Sequence, residues 1–130
     1  MERNEELFRR VADAIEANPE QYDQGQWECG TTRCLAGWAN RLTGHVVPAT
    51  WLEIGASASE ADSQRFVERM VAFSERARSV LGLTSEETDG PDPDEEGGLF
   101  AETWRPHPGL SVPDALRKIG EGAAIEDVSA

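Results

Sequence analysis

Between Ser59 and Leu81 the apolar residues Phe66, Val67, Met70, Phe73, Ala77, Val80 and Leu81 recur at three- and four-residue steps. That spacing marks a helix with one buried face. Arg and Glu fill the intervening positions, and Gly82 follows where a helix commonly ends. No stretch alternates apolar and polar residues for a useful length, and no strand–helix alternation or internal repeat occurs. This pattern confines the chain to an all-α fold, expected as a compact single-domain bundle of four to five helices. With 130 residues the chain can bury about two-thirds of the surface its unfolded form exposes, enough for one core.

Three further helices are expected. The first follows Asn4, which can cap it, with Glu5 and Glu6 at its positive end. Leu7, Phe8, Val11, Ala12 and Ile15 share one face, and Asn18-Pro19 stops the helix. A second starts near Thr31 or Thr32 and runs to Thr43, with Leu35, Trp38, Ala39 and Leu42 as its apolar stripe. Ala36 and Gly37 leave room for a neighbouring helix, and Gly44 suits a left-handed terminus. The last begins at Ser111 or Val112, tolerates Pro113 in its first turn, and presents Ala115, Leu116 and Ile119. Gly120 and Gly122 end it, and residues 123–130 are expected to fray.

The connections are less regular. Residues 19–30 read as an ordered link anchored by Tyr22 and Trp27. Residues 45–58 read as loop with a short helix. Thr84 and Glu87 have capping-box spacing, yet residues 88–98 (TDGPDPDEEGG) offer almost nothing to bury. They are expected to form a flexible acidic loop, after which Leu99, Phe100 and Trp104 return to the core. The core is expected from the first, second, third and last helices, with Trp27, Trp38, Phe66, Phe73, Phe100 and Trp104 as its large members.

Charge restricts function. Against 12 basic residues stand 25 acidic ones, a net of −13. That sign opposes direct nucleic-acid binding through phosphates and attraction to an anionic membrane surface. No run approaches the roughly 20 apolar residues of a membrane-spanning helix. The opening MERNEELFRR carries no apolar secretory segment, and two cysteines make no disulfide framework. A cytoplasmic protein is expected. Eleven of the basic residues are Arg and only Lys118 is Lys, a bias of GC-rich coding.

The most distinctive stretch is Cys29-Gly30-Thr31-Thr32-Arg33-Cys34-Leu35-Ala36-Gly37-Trp38-Ala39. It resembles the CGTxxCxAGWA box of a family of small uncharacterised proteins from actinobacteria and their phages. The surrounding order is also similar: Pro19 to Asp23, Trp27, Leu81 to Thr84, Leu99-Phe100, and the closing segment from Pro113 to Ile119. The sequence departs from that pattern after Thr84, where the acidic stretch looks inserted. The family carries no established activity, so the resemblance implies a fold and a genomic setting and no reaction.

The residue types present are compatible with four chemistries. Cys29 and Cys34 flank a helix start, where amides and the helix dipole can activate a thiol, so a redox pair is conceivable. Were both helical, they would sit about 7.5 Å apart along the axis, too far for a bridge. The competing reading makes Cys34 a small buried hydrophobe below Trp38. Cys29, Cys34, His45 and His107 supply zinc-type ligands, but at spacings that match no zinc motif. Asp92, Asp94, Glu96 and Gly97 imitate the start of a calcium loop, yet its twelfth position is Thr103 and Glu102 falls one place early. A solvated charge run explains them as well, and Asp92, Asp94, Glu95 and Glu96 then form a candidate partner surface. Finally, the acidity as a whole suits a ligand for a basic protein surface.

Enzyme and cofactor templates are missing: no Gly-x-Ser-x-Gly elbow, no P-loop and no HExxH. The sequence therefore points to a non-enzymatic accessory protein that binds a protein partner, with no cofactor, in a phage or mobile-element setting. A thiol-redox or metal-binding protein centred on Cys29 and Cys34 is the alternative.

Overall fold

The structure, a computed structural model, describes residues 3–24, 33–45, 60–89, 98–101 and 104–130. Six α-helices lie among them: α1 (Glu5–Ala17), α2 (Leu35–Leu42), α3 (Glu60–Leu81), α4 (Ser85–Asp89), α5 (Val112–Gly120) and α6 (Ile125–Val128). A 3-10 turn at Pro19–Gln21 follows α1. The protein is an all-α bundle. The described backbone pairs elsewhere only as isolated bridges, Tyr22 with Arg33 and Pro106 with Ser129.

Local chemistry sets the helix ends. The Asn4 side chain accepts from the Leu7 amide at 3.1 Å, and the Ser111 hydroxyl accepts from Asp114 at 3.2 Å. The Asn4 amide and side-chain amide donate to Leu81 and Val80, tying the start of α1 to the end of α3. At that end Gly82 adopts φ +72°, which lets the Leu83 amide turn back to the Arg78 carbonyl.

The core joins α1, α2, α3 and α5, as the periodicity implies. Leu7, Phe8, Val11, Ala12 and Ile15 of α1 meet Ala115, Leu116 and Ile119 of α5. Gly120 permits the closest approach, because a Cβ there would lie 2.7 Å from the Phe8 Cβ. α2 packs between α1 and α3, and Leu35 through Asn40 are all buried. It is thus enclosed rather than amphipathic, and the expected single stripe understates its burial. α2 begins at Leu35 with Cys34 at its N-cap, later than a threonine start predicts; Thr31 and Thr32 lie outside the described residues.

Four of the six expected large core members, Trp38, Phe73, Phe100 and Trp104, are buried. Phe66 is not: it is half-buried, and Val67 beside it is 50% exposed. The reason is length. At about 1.5 Å per residue, α3 runs about 33 Å against about 20 Å for α1, so its first half overshoots the described core. Trp27 and the short helix expected within residues 45–58 lie outside the described residues, apart from His45.

The expectation of a frayed tail is overturned. α6 buries Val128, the His107 amide donates to the Val128 carbonyl at 2.9 Å, and the Ala130 amide donates to Arg105 at 2.9 Å. The Trp104 indole N–H also donates to the Ser129 hydroxyl. A buried apolar side chain and these hydrogen bonds hold a segment that looks too polar to dock.

Candidate functional site

The described part of the cysteine box, Arg33 to Ala39, is buried throughout. Cys34 is 2% exposed and belongs to the core cluster. Arg33, beside it, is 1% exposed, and its guanidinium carbon lies 4.8 Å from the centroid of the Trp38 ring. That contact offsets part of the cost of burying a cation. The Arg33 guanidinium also donates to Gln21, and its backbone exchanges hydrogen bonds with Gln21 and Asp23. The Trp38 indole N–H is buried and has no partner among the described residues.

Tyr22 and Gln24 extend these contacts. The Tyr22 hydroxyl donates to the Gln24 side-chain oxygen at 2.6 Å. Gln24, 6% exposed, donates in turn to the carbonyls of Leu99 and Ala101 at 2.9 and 2.8 Å. Burial, then the nearby Cys34, push the Tyr22 pKa well up, so the phenol stays a donor. The link after α1 is therefore ordered through Tyr22.

A second polar cluster closes the far end of α2. Asn40, fully buried, donates to the Phe73 carbonyl at 3.0 Å and accepts from Arg76 at 2.8 Å. Arg76 also donates to the Thr43 hydroxyl and carbonyl. A cation thereby satisfies groups at a helix C-terminus, its favoured place. The His45 ring lies 6.5 Å from that of Phe73, centroid to centroid. Burial, and then the charge of Arg76, hold the His45 pKa below its ordinary value.

These placements separate the ligands proposed from sequence. Cys34 and His45 flank opposite ends of α2, His107 is exposed beside the docked tail, and Cys29 lies outside the described residues. Among the described residues no three His, Cys, Asp or Glu side chains form a metal-ligating group. Asp92, Asp94, Glu95, Glu96 and most of the acidic stretch also lie outside them.

No protein-family model, curated protein or solved structure matches this chain.

The distribution of charge is the more informative feature. All eleven arginines interact within the molecule. Arg3, Arg33, Arg41, Arg76, Arg78 and Arg117 are also at least partly buried. Arg117 of α5 reaches Asp13 and Glu16 of α1, both at 2.8 Å, and Asp114 at 3.0 Å. Asp13, then Glu16, raise its already high pKa. Arg3 donates to the carbonyls of Ile119 and Ala123 and, at 2.6 Å, to Glu87. Burial alone would raise the Glu87 carboxyl; the Thr84 amide and Arg3 outweigh it and hold that carboxyl below its ordinary range. Thr84 and Glu87 thus form the capping box that their spacing predicts, at 2.9 and 3.2 Å.

Several carboxylates, by contrast, stand alone. Glu6, Glu20, Glu86, Glu121, Glu126 and Asp127 are exposed, and none is paired with a cation among the described residues. Two of them, Glu86 and Glu126, line a cleft of about 640 Å³ between α4, α6 and the residues Trp104 and Arg105. Sequence reasoning missed this cleft, because it exists only once the tail docks. No helix among the described residues is long and apolar enough to cross a membrane.

Proposed function

We propose that this chain is a non-enzymatic accessory protein that binds a protein partner through its acidic exterior, and that the partner's contacting surface is basic. One observation carries this reading: each arginine has an interaction within the molecule, and six are at least partly buried, while the exposed carboxylates Glu6, Glu20, Glu86, Glu121, Glu126 and Asp127 remain unpaired among the described residues. A net charge of −13 then acts outward, attracting cationic surfaces and repelling phosphate-rich ones. The resemblance of the cysteine box to proteins of actinobacteria and their phages supports a phage or mobile-element setting, and a cytoplasmic one.

The test compares the native chain with one carrying Glu6→Gln, Glu20→Gln, Glu86→Gln, Glu121→Gln, Glu126→Gln and Asp127→Asn. Each serves as bait in cells of the source organism, at low and high salt, and captured proteins are identified by mass. The native chain should retain a basic protein that high salt releases, and the neutralised chain should lose it. Equal retention by both chains contradicts the proposal, as does a native chain that retains no basic protein.

A further inference from the structure

We infer that the cleft between α4 and α6 seats a lysine or arginine side chain of that basic partner, with its stem against Trp104 and Ile125 and its charge met by Glu86 and Glu126. The inference rests on the acidic-exterior reading and adds a specific anchoring place to it. At about 640 Å³ the cleft has room for a side chain and its neighbours in a peptide.

Its lining selects for charge. The two cations at its edge already have partners. Arg3 donates to two carbonyls and to Glu87, and Arg105 donates to the Trp104 carbonyl at 2.7 Å. Glu86 and Glu126 are exposed and have no cation partner among the described residues. An entering anion would face these two carboxylates, with Arg3 held by Glu87 and two carbonyls and Arg105 bonded to the Trp104 carbonyl. A neutral apolar ligand would strip water from both carboxylates and return nothing. A cation on an apolar stem satisfies both demands, since Lys and Arg stems pack on apolar walls while their heads reach carboxylates. Trp104 is 6% exposed and Ser129 holds its indole N–H, so it adds a small apolar wall, and half-buried Ile125 adds the rest.

The test is a titration of the isotope-labelled full chain with acetyl-Leu-Arg-Leu-amide, followed at the backbone amides of Glu86, Ala101, Ile125 and Ser129. Binding should shift these four. The same peptide with citrulline for arginine keeps the shape without the charge, and should bind about tenfold more weakly or worse. The variant Glu86→Gln/Glu126→Gln should lose a similar factor of about ten for the arginine peptide. Glu68→Gln/Glu75→Gln removes the same charge elsewhere and should change affinity by less than about twofold. All four positions are exposed, and the spectrum of each variant reports that it has folded. The cleft assignment is overturned by equal losses in the two variants, by equal binding of the citrulline peptide, by shifts centred elsewhere, or by no binding. If it fails while the native chain still captures a basic protein at low salt, only the cleft assignment falls. A native chain that captures none takes the broader reading with it.

Discussion

The seam between α1 and α5 and the surroundings of α2 solve the burial problem differently. At the α1–α5 seam, apolar side chains interlock around Phe8 and Gly120, and charge stays on the rim, where Arg117 spans Asp13 and Glu16. Around α2, polar groups go inside: Arg33 on the Trp38 ring, Asn40 between Phe73 and Arg76, Gln24 under Leu99 and Ala101. The seam derives its strength from area and fit. The α2 region derives its uniqueness from satisfied hydrogen bonds, each costly to remove singly. The functional claim depends on the second arrangement, because it draws cations inward.

The sharpest blow to the seam is Phe8→Ala. Removing a wholly buried ring should cost about 3–5 kcal/mol in chemical denaturation. A loss below about 1 kcal/mol would show that the seam is not the stable half. Asn40→Ala attacks the polar side. It leaves the Phe73 carbonyl and Arg76 without their buried partner, for an expected loss of about 1–3 kcal/mol. Gly120→Ala probes fit: the added methyl cannot coexist with Phe8 unless one helix moves, which should cost about 1–3 kcal/mol. An unchanged midpoint would mean that α1 and α5 sit farther apart.

Acid should affect the polar contacts selectively. Both shifted groups have folded pKa values below their ordinary 6.5 (His45) and 4.5 (Glu87). Each contribution is therefore present above the ordinary value and lost as pH falls through the folded one. Stability should decline as pH falls below 6.5 through His45 and further below 4.5 through Glu87. His45→Gln should flatten the first decline and Glu87→Gln the second; parallel curves for all three proteins would refute the assignment. The smallest effect is expected for Arg117→Gln, whose pairs are partly exposed: a slight loss at low salt that disappears at high salt.

Helix ends and the apolar seam were readable from sequence for a simple reason. Asn4, Ser111, the Thr84–Glu87 pair and the spacing around Phe8 act within one or two turns, so their effects are local. Phe66 shows where periodicity misleads: a helix can keep its pattern after leaving the core. Arg33 and Asn40 show where composition misleads. A charged or amide residue reads as surface, and only the tertiary arrangement supplies the ring or carbonyl that lets it enter. A charged residue directly before a run of small and apolar ones, as in Arg33-Cys34-Leu35-Ala36-Gly37-Trp38, was the available signal. The cleft was illegible because it needs α4, Trp104 and the docked tail together.

The central claim, that the arginines engage acceptors within the molecule while a set of carboxylates faces solvent unpaired, is tested most directly by guanidinium resonances of the folded chain. Arg3, Arg33, Arg76 and Arg117 should give sharp, slowly exchanging signals that survive high salt, because their donors are held by protein acceptors. Guanidinium signals averaged with solvent for all eleven arginines would mean that they turn freely at the surface, which contradicts their engagement within the fold.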